Sequence, residues 1–209
     1  MIGTTHMAVG IALCAAITQP QTAEQCFAAI IGGAIGGTIP DIDLEKPTDI
    51  FTEEPPKLIS YFSSVKTIRF AWIIAAIVLY ADWILKVGIC EHIIADDIKI
   101  LIIGLIGFII VVLKGRYSVH RTFTHSFLGL ILFSISLAFI YTPLVPYFAI
   151  GLFSHIILDL FTKKPVQILY PFPKGICFNI CKANDRFANS LLSVLGIIGV
   201  VFFLVQPFL

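Results

Sequence analysis

Four histidines and three aspartates fall where apolar segments of this chain begin or end. They are His6, Asp41 and Asp43 in Pro40-Asp41-Ile42-Asp43, His120 and His125 in His120-Arg121-Thr122-Phe123-Thr124-His125-Ser126, and His155 with Asp159. Neutral imidazoles and carboxylates bind divalent cations, and a set without thiolates suits zinc, manganese or iron. His155 and Asp159 are four apart, so on a helix they share one face. Asp41 and Asp43 flank Ile42 in a turn after Pro40, where alternate side chains can point the same way. His120 and His125 are five apart, a spacing natural to a loop-to-helix junction, with Thr124 as the expected N-cap. Four imidazoles and three carboxylates exceed what one tetrahedral zinc needs, so one or two ions are expected, zinc favoured and manganese or iron as alternatives. Two ions about 3.5–4 Å apart activate a water and clamp both oxygens of an ester or phosphoester. Arg121, next to His120, is the candidate for charge on a phosphoryl oxygen. Asp43 or Asp159 is the candidate proton acceptor. The bland alternative makes Asp41 and Asp43 solvated caps of a helix exit and Asp159 a structural acid paired with Lys163.

Whether these groups can meet depends on the apolar segments that carry them. The chain has 209 residues, 58% hydrophobic and 13% charged, with mean hydropathy +0.96. A soluble domain carries about 25% charged residues. The excess of apolar residues requires membrane-spanning helices rather than an ordinary core. Spans are expected at Phe70–Leu85, Ile98–Leu113, Phe127–Tyr141, Leu144–Phe161 and Phe187–Phe208. Two shorter segments, Met7–Ile17 and Phe27–Ile39, turn at Gln19-Pro20-Gln21 and form an N-terminal helical hairpin. The fold class is therefore all-α, a polytopic transmembrane bundle of five long spans plus that hairpin, six to seven membrane helices together. Gly32, Gly33, Gly36 and Gly37 make two small-xxx-small pairs on the second segment, which permits close helix contact. No Gly-Lys-Ser/Thr follows, so the run is not a phosphate loop.

Basic residues set the orientation. Twelve of the fourteen Lys and Arg lie in the connection from Asp41 to Arg69, the loop before Phe127 and the loop after Phe161; only Lys86 and Lys99 lie on the other side. The positive-inside rule makes the first face cytoplasmic, with the N-terminus inside and the C-terminus outside. All seven candidate ligands then share the cytoplasmic face. His92, in an acidic loop on the outer side, reads as a solvated residue. Nothing precedes Met7–Ile17 that resembles the basic start of a signal peptide, so the N-terminus is expected to be retained. Cys14, Cys26, Cys90, Cys177 and Cys181 lack zinc-ribbon spacing and read as small apolar side chains. No basic block marks a nucleic-acid footprint. Residues 1–209 form one domain with no internal repeat; Glu53-Glu54-Pro55-Pro56-Lys57 reads as an exposed loop or lid. The sequence assigns no oligomeric state.

Taken together, Thr5-His6, the Gly-rich segment ending in Pro40-Asp41-Ile42-Asp43, His120-Arg121-Thr122-Phe123-Thr124-His125-Ser126, Ser154-His155 with Asp159 and Thr162, and Tyr170-Pro171-Phe172 resemble the LexA-regulated inner-membrane family of predicted metal-dependent hydrolases (the YdjM-like family). The His-Arg-x-x-Thr-His-Ser element is the most specific. The resemblance covers nearly the whole chain in the same order. It implies an inner-membrane location and metal-dependent hydrolysis, and the family's name links some members to the DNA-damage response. The leading expectation is a membrane-embedded metal-dependent hydrolase. Its partner is the lipid bilayer, and its substrate a lipid or other membrane-associated (phospho)ester. The alternative is a metal-binding transporter or sensor without hydrolysis. Against it, the ligands lie at one surface rather than at the midplane, where transporter sites lie. An acid-histidine lipid phosphatase without metal ranks lower, because its Lys/Arg phosphate cradle is missing.

Overall fold

A computed structural model describes residues 1–43 and 98–206. The span expected at Phe70–Leu85, most of the connection after Asp43, the Glu53-Glu54 loop, Cys90 and the outer His92 lie outside the described residues. Among the described residues the chain is helical: α1 (Gly3–Thr18), α2 (Ala23–Thr38), α3 (Ile98–Arg116), α4 (Phe127–Tyr141), α5 (Val145–Leu160) and α6 (Arg186–Val205). Short 3-10 turns at Ile39–Asp43, Phe123–His125 and Thr142–Leu144 join or extend them.

Among the described residues, four stretches are long and apolar enough to cross a membrane: Ala23–Asp43, Ile98–Arg116, Phe127–Leu160 and Arg186–Val205. The expected pattern is met at α3 and α6 and altered elsewhere. The second segment, expected to be short, gains its length from the 3-10 turn that continues α2 through Pro40 to Asp43. The spans expected at Phe127 and Leu144 form one 34-residue helical stretch, broken where Tyr141 turns extended at φ −157° and Pro143 supplies no N–H. There the chain folds back: Phe127 stacks over Phe153 and Phe133 lies 6.3 Å from Phe148. The arms are 15 and 16 residues long, about 23 Å each. They need their flanking turns to approach the ~30 Å hydrocarbon thickness.

α1 and α2 turn at Gln19, which is left-handed at φ 44°, and Thr22 caps α2 by accepting from Gln25 N–H. The glycines of α2 divide between two neighbours. A Cβ on Gly32 would come within 2.6 Å of Tyr147 on α5, and one on Gly33 within 2.7 Å of Ile11 on α1. Close approach, not backbone freedom, is the reason for glycine here. α6 lies along α1, with Gly196 against Ala8, and α3 packs on α4, with Gly104 against Phe139. Val111, Phe123, Phe133, Leu137, Phe148, Leu152 and Ile156 form the apolar core. The outer faces of α3 and α6 instead expose residues such as Ile103, Ile106, Ile110, Ile198 and Phe202. Exposed apolar faces of that extent fit lipid, not water. The alternation of directions puts the starts of α1, α4 and α6 and the ends of α2, α3 and α5 at one end of the bundle.

Candidate metal centre

All seven of the histidines and aspartates singled out in the sequence meet at that end. Each comes from a helix terminus: His6 from the first turn of α1, Asp41 and Asp43 from the turn closing α2, His120 and His125 from the segment entering α4, and His155 and Asp159 from the last turns of α5. The Gly-mediated crossing sets the inner part. Gly37 has no Cβ, which would lie 2.7 Å from the His6 carbonyl oxygen, so α1 and α2 touch there. The Gly37 carbonyl in turn accepts from His155 Nδ1 at 2.8 Å. His6 stacks on His155 with ring centroids 3.7 Å apart.

Among the described residues, two groups of three are arranged so that each could hold an ion. His6, His155 and Asp159 form one; Asp41, His120 and His125 form the other; within each, one ligand atom per residue lies within 4.8 Å of the rest. The groups adjoin. His155 Nε2 is 3.1 Å from His125 Nε2 and 3.5 Å from Asp41 Oδ1, and His125 Nε2 is 3.5 Å from Asp159 Oδ2. The inner group is closed, with His6 and His155 at 0% and Asp159 at 1% exposure. The outer group is more open, with the Asp41 and His120 side chains at 16% and 24%.

Asp43 belongs to neither group. Its Oδ1 accepts from His120 Nδ1 at 2.6 Å, and its Oδ2 accepts from the Arg121 backbone N–H at 3.3 Å and the Thr124 hydroxyl at 2.7 Å. That last bond assigns a tautomer. A carboxylate can only accept, so the one hydroxyl proton of Thr124 goes to Asp43. The 2.9 Å contact between Thr124 Oγ1 and His125 Nδ1 must then have His125 Nδ1–H donating. His155 Nδ1 likewise donates, because its partner is a carbonyl. Both rings therefore aim Nε2 at each other. If both are neutral, two bare lone pairs face across 3.1 Å, which requires a cation between or beside them, a proton or a metal. His125 is the ring better placed to take a proton. Burial opposes its charged form, but Asp159 and Asp43 outweigh burial and raise its pKa above the ordinary value. His6 shows the unmet need. Buried at 0%, it has no hydrogen-bond partner at Nδ1, and its Nε2 has only an Asp159 oxygen 3.4 Å away, a costly state unless something binds there. The donor set and these orphaned atoms fit a divalent ion.

Arg121 is not free to meet a substrate. Buried, with left-handed backbone at φ 66°, it pairs with Asp159 Oδ2 at 3.0 Å. Its Nη1 donates to Thr162 Oγ1 at 2.6 Å and to the Lys164 carbonyl at 2.7 Å. Asp159 also meets the Met1 amine at 2.7 Å and lies 3.4 Å from His6 Nε2; these, with Arg121 and His125, are the groups it pairs with, in place of the expected Lys163. Thr124 is not the cap of α4: Ser126 is, accepting from Gly129 N–H at 3.1 Å. Asn189 belongs to no motif in the sequence, yet its Oδ1 accepts from Ile2 N–H at 2.9 Å and from the Thr5 hydroxyl at 3.1 Å. This ties the start of α1, and so His6, to α6. Thr5-His6, Thr124-His125 and Ser154-His155 each put a hydroxyl residue immediately before a site histidine; Thr5 and Thr124 bond to Asn189 and Asp43, whereas Ser154 donates to the Gly151 carbonyl of its own helix.

A family model described as YdjM inner membrane protein matches residues 1–206. No curated protein and no solved structure matches the chain.

Proposed function

The chain belongs to the YdjM inner membrane protein family and is an integral protein of the inner membrane, and from that premise we propose that it is a metal-dependent hydrolase acting on a lipid or other membrane-associated ester or phosphoester. The observation that carries the reading is the pair of adjoining His/Asp groups whose Nε2 atoms face each other across 3.1 Å. His6, His155 and Asp159 hold one divalent ion, and Asp41, His120 and His125 a second, with zinc favoured and manganese or iron as alternatives. When bound, such ions polarise an ester or phosphoester oxygen and lower the pKa of water to near neutrality.

The chain's own residues do the rest. Asp43, with Thr124, fixes the His120 and His125 rings so that Nε2 of each is left for binding, the orienting role of a carboxylate behind a ligating histidine. This role suits Asp43 better than that of ligand or proton acceptor, since its oxygens are already taken by three donors. Arg121 neutralises Asp159 and anchors it, so a phosphoester preference no longer leans on this guanidinium. Substrate enters from the side of Asp41 and His120, where the site is open. The positive-inside rule places this end in the cytoplasm, because Lys114, Arg116, Lys163, Lys164, Lys174, Lys182 and Arg186 all cluster there. The C-terminus then lies outside.

A metal-binding sensor or transporter is the second reading, favoured by the complete enclosure of His6, His125 and His155. Elemental analysis of the detergent-purified protein, followed by ester and phosphodiester hydrolysis with and without chelator, separates these readings. Stoichiometric metal with chelator-sensitive turnover supports the hydrolase. Metal without turnover on any membrane ester supports the sensor. A protein that takes up no zinc, manganese or iron refutes both.

A further inference from the structure

We propose that the loop spanning 161–185, between α5 and α6, lies in the headgroup layer of the leaflet at the site end and binds anionic phospholipid. Between Asp159 and Asp185 the sequence has Lys163, Lys164, Lys174 and Lys182 and no acidic residue. All four lysines are exposed. Interleaved with them, Phe172, Phe178 and Ile180 are 68%, 56% and 66% exposed. A loop facing water would hide such side chains. A loop at a membrane surface sinks them toward the acyl chains while its lysines meet phosphates, and an anionic leaflet attracts each lysine within a Debye length.

The display is fixed by the backbone. Val166 and Ile176 exchange both hydrogen bonds at 2.9 Å, Lys163 N–H donates to the Cys181 carbonyl at 3.1 Å, and Ile180 N–H donates to the Phe161 carbonyl at 3.0 Å. Val166 is buried, as is Thr162. The loop is also tied to the site, because the Arg121 guanidinium that holds Asp159 bonds Thr162 Oγ1 and the Lys164 carbonyl. Anionic lipid on this surface therefore sits beside the open Asp41/His120 side, whatever reaction the site performs.

The test uses the full chain in nanodiscs of equal phosphatidylcholine and phosphatidylglycerol, followed by detergent exchange and mass spectrometry of the retained lipid. The wild type is expected to retain phosphatidylglycerol over phosphatidylcholine by at least about threefold. The variant Lys163→Gln, Lys164→Gln, Lys174→Gln, Lys182→Gln should lose most of that preference. Should it fail to fold, the milder Lys174→Gln, Lys182→Gln variant, which leaves the Arg121 anchor untouched, should lose about half. No preference in the wild type, or an unchanged preference in a folded variant, overturns the proposal. The second outcome would mean that other residues of this chain or a second copy cover the loop. Metal content read from the same samples reports on the metal centre separately.

Discussion

The two metal-capable groups are built from the same residue types but sit in different surroundings. His6, His155 and Asp159 are sealed where α1, α2 and α5 cross on glycines, and Arg121 and the Met1 amine supply countercharge to Asp159. Asp41, His120 and His125 lie on the turns that lead out of α2 and into α4, with Asp43 behind them and a partly open face in front. The inner group is held by helix packing and the outer by hydrogen bonds donated to the Asp43 carboxylate. In the proposed function, one would serve as a fixed anchor and the other as the place where an exchangeable ligand or substrate arrives. His125 joins them: its ring touches His120 on one side and His155 on the other, with centroids 5.2 and 4.9 Å apart.

If that division holds, His125→Ala has the largest effect: His125 is a ligand of the outer group and its Nε2 also borders the inner ligands, 3.1 Å from His155 Nε2 and 3.5 Å from Asp159 Oδ2, so both groups lose metal. Elemental analysis should fall to near zero, whereas His120→Ala should empty the outer group alone. Equal losses in the two variants would mean that a single ion is shared and the division is false. Next in size is Gly33→Ala. Its new methyl would meet Ile11 Cα at 2.7 Å and the Gly10 carbonyl oxygen at 2.9 Å, with no flexible side chain to yield. Destabilisation of about 1–3 kcal/mol is expected for overpacking of this kind. It should appear as a lower thermal midpoint together with loss of the inner ion before the outer. An unchanged midpoint would show that the crossing can open without cost.

Much of this was legible in the sequence for a simple reason. Apolar stretches alternate in direction, so residues at the end of one helix and the start of the next share an end of the bundle. That rule alone gathers His6, Asp41, His125 and Asp159. The i, i+4 spacing of His155 and Asp159 and the small residues of α2 read equally directly. The division of labour inside the site did not. Asp41 and Asp43 are two residues apart and chemically identical, yet one faces His155 and the other is consumed by His120 and Thr124. Thr124 looks like a helix cap until Ser126 is seen to hold that position. Arg121 looks like a free cation until Thr162 and Asp159 are seen to enclose it. The Thr5–Asn189 contact joins residues 184 apart in the chain, and local pattern has no means of reporting it.

Smaller effects probe the outer group alone. Asp43→Asn keeps the shape but removes the charge that aligns two rings. Loss of such an outer carboxylate weakens metal binding by about 10–100-fold, so a titration with a competing chelator should show one weakened ion and one unchanged. Equal weakening of both would place Asp43 among the ligands instead.

The least disruptive probe is pH. Metal binds His125 only when Nε2 is free of its proton, and neighbouring carboxylates raise that pKa. Metal affinity should hold above the raised value and fall below it by about tenfold per pH unit, since each unit is worth about 1.36 kcal/mol. Above about pH 6.5, the value of a free imidazole, the metal-free protein should show the opposite trend. A pKa raised on folding contributes stability that is full below the unfolded value and lost as pH rises through the folded one. Thermal midpoints of the two forms should therefore diverge as pH rises, the loaded protein gaining and the metal-free protein losing. Parallel pH profiles would mean that proton and metal do not compete at His125, and the link between the inner and outer groups would have to run through Asp41 alone.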